Sequence, residues 1–148
     1  MQYVSVGLRL VALIIDAIIM IIISYVIALL TGGTSQGGFS LEGVPAALSW
    51  LINFAYYIGL EVTQGGTVGK LVLGLRVTKA DGSPIDWGAS LIRNILRVVD
   101  AIPFVIPYLL GAILIWNSPT RQRLGDRVAG TVVVKKSSLP QQAASPSV

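Results

Sequence analysis

Arg9 and Asp16 stand seven residues apart in GLRLVALIIDAI. On a helix that spacing puts a guanidinium and a carboxylate on nearly the same face, about 10 Å apart along the axis. Arg93, Arg97 and Asp100 follow at i, i+4 and i+7, so one face presents two cations and an anion. Asp126 lies further on, among Arg121, Arg123 and Arg127. Arg keeps its proton in proteins, so each of these guanidiniums must reach a carboxylate, a carbonyl, a headgroup or water. Asp16 and Asp100 are the expected partners. Desolvation raises the pKa of an Asp and a neighbouring Arg lowers it, so a carboxylate alternating between such surroundings binds and releases a proton or a cation. The same residues also suit an ion-paired clamp between helices, with any Arg near an interface snorkelling to the headgroups.

A second set, Ser49, Asn53, Tyr57 and Glu61, recurs at steps of four and forms a polar stripe that either lines a path or joins helices by hydrogen bonds. GGTVGK at 65–70 looks at first like a phosphate-binding loop. That pattern requires Gly at 64 and Ser or Thr at 71, where the chain has Gln64 and Leu71. An interfacial turn with Lys70 facing lipid phosphates is expected instead. The chain has no Cys and no His, which removes disulfides, thiolate or imidazole metal sites and the usual general base. No nucleophile and base are spaced for catalysis, so neither an enzyme, a cofactor nor a metal site is expected.

The elements that hold these residues are apolar. Hydrophobic residues make up 53% of the 148, charged residues only 12%, and mean hydropathy is +0.75. A globular chain carries about a quarter charged residues, so lipid is the expected solvent. The net charge of +4 is scattered between hydrophobic runs and reads as a topology signal, with no basic stripe for nucleic acid.

Val11 to Leu30 holds a single charge, Asp16, and 13 Ile, Leu and Val residues. A mid-membrane carboxylate costs ~2.5–3.5 kcal/mol, against a return of ~0.3–0.6 from each of those 13, so the helix inserts regardless. Residues 10–30 are therefore the first expected span, and Pro45 opens a second over 44–61. The Gly-rich connection between them has no Lys or Arg and is expected outside.

A polar insert, Gln64 to Trp87, contains LRVTKADGSPIDW, with an Asp81-Gly82 turn signal that suits a small hairpin. The tail contains TVVVKK, and the two strand-like runs are also candidates to pair with each other. Residues 88–116 form a third hydrophobic segment, broken at Pro103 and Pro107. A short hairpin there returns every basic loop to the cytoplasm, as the positive-inside bias prefers. The rival is a surface amphipathic helix around Arg93 and Arg97 followed by one span. Residues 137–148 are expected to be disordered.

The strings GLRLVALIIDAI, GGTVGKLVLGLRVTKADG and RQRLGDRVAGTVVV, in this order and spacing, resemble the RDD family of small bacterial membrane proteins. The family's Arg and first Asp fall on Arg9 and Asp16, and its second Asp on Asp126 or on Asp100. The resemblance implies a helical membrane domain over residues 1–136, sited in the bacterial cytoplasmic membrane, with a role in transport and with cation/proton exchange attributed within the family. The expected architecture is all-α and transmembrane, with two full spans, the Pro-broken segment, and a small cytoplasmic cap with both termini on that side. The expected partners are membrane lipids, protons and monovalent cations, and a second copy of the chain, since so few helices enclose little volume. A non-transporting accessory protein that binds another membrane protein or anionic lipid is the competing function.

Overall fold

A computed structural model of the chain describes residues 1–101 and 109–139. Two long helices dominate it, α1 (Val6–Thr31) and α2 (Gly43–Gln64), both long and apolar enough to cross a membrane. They run antiparallel, since Asp16 meets Tyr56 while Ser24, two turns further along α1, meets Ser49. α1 starts a turn before its expected span and α2 runs about a turn beyond its own, and a glycine ends each. Gly32 and Gly65 take left-handed backbone (φ 74° and 73°), which a β-carbon disfavours. The connection between the helices folds into a two-residue ladder, β1 (Thr34–Ser35) with β2 (Gly38–Phe39).

The chain then makes a short helix, α3 (Val68–Val72), and a strand, β3 (Leu75–Lys79). Helices α4 (Trp87–Ala101), α5 (Leu109–Trp116) and α6 (Leu124–Val128) follow, and then strand β4 (Thr131–Lys135). β3 and β4 pair antiparallel, with Leu75 opposite Lys135 and Lys79 opposite Thr131. Of the two pairings expected for LRVTK, the long-range one prevails. The turn at Asp81-Gly82 does form, with Asp81 accepting from the Ser83 N–H at 2.9 Å, but the return run shrinks to a single bridge between Thr78 and Pro84. Proline has no N–H to extend a ladder.

Val4 donates its N–H to Val133 at 3.0 Å, so the start of the chain joins the same sheet. Val4, Leu75, Val77, Ile85, Ala89 and Val133 make its apolar core. N-terminus, insert and tail thus gather at one end of the α1–α2 hairpin. Lys136–Ser138, partly inside the expected disordered tail, forms a 3-10 turn whose Ser138 hydroxyl accepts from the Gln2 N–H at 2.9 Å. The break at Pro103–Pro107, the side chain of Asp100 and the tail beyond residue 139 lie outside the described residues.

α4 is amphipathic in an inverted sense. Ser90, Arg93 and Asn94 are buried, whereas Trp87, Leu91, Ile92 and Ile95 are exposed. Exposed apolar residues also cover α1, among them Leu10, Ile14, Ile18, Ile21 and Ile22. A water-soluble helix turns its apolar stripe to the core, so this surface suits hydrocarbon.

Candidate functional site: a buried charge layer

Close approach between helices builds the site. Gly125 on α6 sits against α4, where an added β-carbon would lie 3.1 Å from the Arg93 carbonyl oxygen. This lets α6 present Asp126 directly to Arg93. The guanidinium, 1% exposed, joins two buried carboxylates, meeting Asp126 Oδ1 through Nη1 at 2.7 Å and Glu61 Oε2 through Nε at 3.3 Å. Nη1 also donates to Thr131 Oγ1 at 2.6 Å.

Around Asp126, Arg9 supplies a second guanidinium at 2.7 Å, and the backbone N–H of Arg123 donates to Oδ2 at 3.2 Å. Around Glu61, Lys70 pairs at 2.5 Å, with Ser90 and Asn94 donating at 3.3 and 3.4 Å. The result is one continuous chain of charges, Lys70–Glu61–Arg93–Asp126–Arg9, which ties together α1, α2, α3, α4 and α6. Arg97 stands apart from it, its guanidinium 4.1 Å from the centroid of the Tyr57 ring, a cation–π contact.

Burial alone would push the Asp126 carboxyl up, but Arg93, Arg123 and Arg9 together hold it well below its ordinary value of 3.8. A depressed pKa contributes stability that is complete above the ordinary value and lost as pH falls below it. Acidification below about pH 4 is therefore expected to destabilise the native protein more than Asp126→Asn, as read from their melting temperatures in detergent at neutral and acid pH. Equal losses would mean that Asp126 does not carry the effect. Burial pushes the Lys70 ammonium down to about 8, against the upward pull of Glu61.

Asp16 belongs to a separate cluster. It is 1% exposed and accepts three hydrogen bonds, from Tyr56 Oη and the Gly69 N–H at 2.8 Å each and from Thr67 Oγ1 at 2.6 Å. Thr67 and Gly69 open α3, so Asp16 anchors the start of that helix from within α1. The expected pairing of Asp16 with an arginine does not occur among the described residues, because Arg9, two turns away, is drawn to Asp126. Asp16→Asn keeps one acceptor but turns an amide N–H₂ toward these donors, at a cost of about 1–3 kcal/mol. A lower melting temperature and a lower level in the membrane are expected, and unchanged values would remove the anchoring role.

Of the sequence-predicted residues, Arg9, Arg93, Asp126 and Glu61 are brought together, while Asp16, Arg97 and Tyr57 lie outside that chain of charges. Asn53 is half-buried on the second stripe, and Ser49 bonds Ser24 at 2.9 Å. Lys70, expected to face lipid phosphates, is buried on Glu61, because α3 packs against α1 and brings the ammonium to the end of α2. Sequence reasoning also missed Tyr56, Thr67 and Gly69, which come from a neighbouring helix and a turn. Ser90 and Asn94 were within its reach, Ser90 three residues before Arg93 and Asn94 four after Ser90, both spacings that share a helix face.

A mostly helical, membrane-associated protein with an ion-paired interior is the class defined by these features. The RDD family pattern matches residues 3–130, and the chain belongs to the RDD family. It is 33% identical over 89 residues to a protein of Mycobacterium leprae (strain TN) named proline-rich antigen, covering 57% of this chain and 34% of that one. A proline-rich antigen homolog of Mycobacterium tuberculosis (strain CDC 1551 / Oshkosh) is 34% identical over 90 residues, covering 60% of this chain and 34% of that protein. The chain thus matches about a third of the length of these relatives. No solved structure matches it.

Proposed function

We propose that the chain is a non-catalytic, multi-pass membrane module, the non-transporting accessory protein set out above, and that its charge layer locks a cytoplasmic cap onto a helical hairpin. One observation carries this reading: among the described residues, each buried carboxylate is held by two or more partners. Asp126 is engaged by Arg9, Arg93 and the Arg123 backbone, Glu61 by Lys70, Arg93, Ser90 and Asn94, and Asp16 by three donors. A carrier needs an acceptor that exchanges its partners, whereas Asp126 is held by arginines that keep their charge and Asp16 by donors fixed in the fold.

The β3–β4 ladder supports a topology in which the two strands flanking the third hydrophobic segment lie on one side of the membrane, as the hairpin expectation requires. The positive-inside bias makes that side the cytoplasm. In the mycobacterial relatives the matching region is a minor part of a longer chain, as suits a membrane module that holds other segments in place.

Cation/proton exchange is the second reading, favoured by Lys70, a buried ammonium near neutrality on a carboxylate of the charge layer. Proton flux in proteoliposomes under Na⁺, K⁺ or Li⁺ gradients separates the two. The module reading expects no cation-driven flux from correctly folded protein. Flux that disappears in Lys70→Met at equal reconstitution would install the exchanger in its place.

A further inference from the structure

Grooves formed by the described residues on the cap end differ in charge, as two of them show. The larger, lined by Lys79, Asp81 and Asp86 among others, balances its lysine with the Asp86 carboxylate at 2.7 Å. The smaller, about 430 Å³, is lined by Gln2, Tyr3, Val4, Ser5, Leu8, Pro119, Arg121 and Lys135, and contains no carboxylate. Its two cations, Arg121 and Lys135, are both exposed.

The carboxylate behind this groove is already spent. Asp126 is shared by Arg9 and Arg93 at 2.7 Å, with the Arg123 guanidinium 3.8 Å away, so three cations converge on one anion. Arg121 is also held in position. Its carbonyl accepts from Arg9 Nη2 at 2.5 Å, and its backbone is left-handed, with φ 51°. The groove lining therefore carries two cations and no carboxylate, with the Arg121 guanidinium donating to the Tyr3 carbonyl at 3.4 Å.

Its level supplies the rest. Ser5 is the N-cap residue of α1 and Leu8 lies in its first turn, and the exposed apolar surface of that helix begins within the next turn, at Leu10, Val11 and Ile14. A phosphate seated between Arg121 and Lys135 would lie at headgroup depth, with its acyl chains along α1. We propose that this groove binds the phosphate of an anionic lipid headgroup in the leaflet beside the cap. The site rests on the membrane-module reading and gives that module a lipid partner.

The test is native mass spectrometry of the purified full chain with phosphatidylglycerol, phosphatidylcholine or inorganic phosphate. Retention of phosphatidylglycerol over phosphatidylcholine is expected. The double variant Arg121→Asn, Lys135→Gln should retain phosphatidylglycerol about 30-fold less well, whereas Lys79→Gln in the other groove should match the native chain. Asn tolerates the left-handed backbone at position 121. If the double variant does not fold, the native chain decides, because phosphatidylglycerol retention must fall steeply from low to high salt. Equal retention of the two lipids, salt-insensitive binding, or unchanged retention in the double variant would overturn the proposal. Displacement of the lipid by inorganic phosphate would reassign the site to free phosphate and overturn the lipid assignment. Failure of the native chain to appear in the membrane fraction would instead refute the module reading, before any lipid is added.

Discussion

Arg93→Met is expected to be the most damaging single substitution in the charge layer, costing about 3–5 kcal/mol, the range for breaking a buried pair by removing one partner. Met keeps much of the length of the side chain and removes its charge. Glu61 and Asp126 then lose the guanidinium they share, leaving Glu61 with Lys70 and Asp126 with Arg9 and the more distant Arg123. Against typical stabilities of about 5–15 kcal/mol, a loss of this size should sharply reduce recovery of folded protein.

Arg97→Met is the matched control, removing the same charge one turn away on α4. It forfeits the contact over Tyr57, worth about 0.5–2 kcal/mol, and a longer-range attraction to Glu61 that is not a direct ion pair. Arg93→Lys should rescue little, because the two carboxylates are met by different nitrogens of one planar fork and a lysine offers a single point charge. Melting in detergent and yield from membranes read all three. If Arg93→Met were as stable as Arg97→Met, the layer would not be what joins α4 to the hairpin and α6.

Gly69→Ala is expected to have the second largest effect. An added β-carbon would lie 2.1 Å from the Ala12 carbonyl oxygen and 3.0 Å from Asp16 Oδ1, both on α1. Backbone cannot yield as a flexible side chain does, so α3 must retreat, weakening the 2.8 Å hydrogen bond from the Gly69 N–H to Asp16. Overpacking costs about 1–3 kcal/mol and a hydrogen bond to a charged group is worth about 1.5–3, which together suggest a loss of roughly 3–5 kcal/mol.

Gly59→Ala provides the contrast, since nothing lies within 4 Å of the position its β-carbon would take. There the better helix propensity of Ala should leave stability equal or slightly higher. Thermal melting of the two variants side by side is the measurement. Equal behaviour would show that α3 does not depend on contact with α1.

The bearing of both predictions on function is that Lys70 reaches Glu61 only because α3 is held against α1. Moving α3 should loosen the end of the charge layer farthest from Arg9. The Asp16 anchor and the Arg93 bridge are thus coupled through a five-residue helix, although no single bond joins them.

The two long helices were legible in the residue order because hydrophobic length is a local property. Thirteen aliphatic residues outweigh one Asp wherever α1 sits, and Gly32 and Gly65 end the helices through their own backbone freedom. The cost of burying charge was equally legible, and so was the need of each Arg for a partner. Which partner each one found was not, since ion pairs join residues far apart in the chain. Arg9 passes over Asp16, seven residues away, for Asp126, 117 residues away, because a side chain cannot span two helical turns but can reach a helix docked beside it. Glu61, read as the end of a polar stripe, takes Lys70 and Arg93 only once α3 and α4 fold against α2. β3 likewise prefers β4 to its nearby return run, because Pro84 cannot continue a ladder and the tail can. Local composition decided what this chain must bury, and only the packing of α3, α4 and α6 on the hairpin decided how those charges are satisfied.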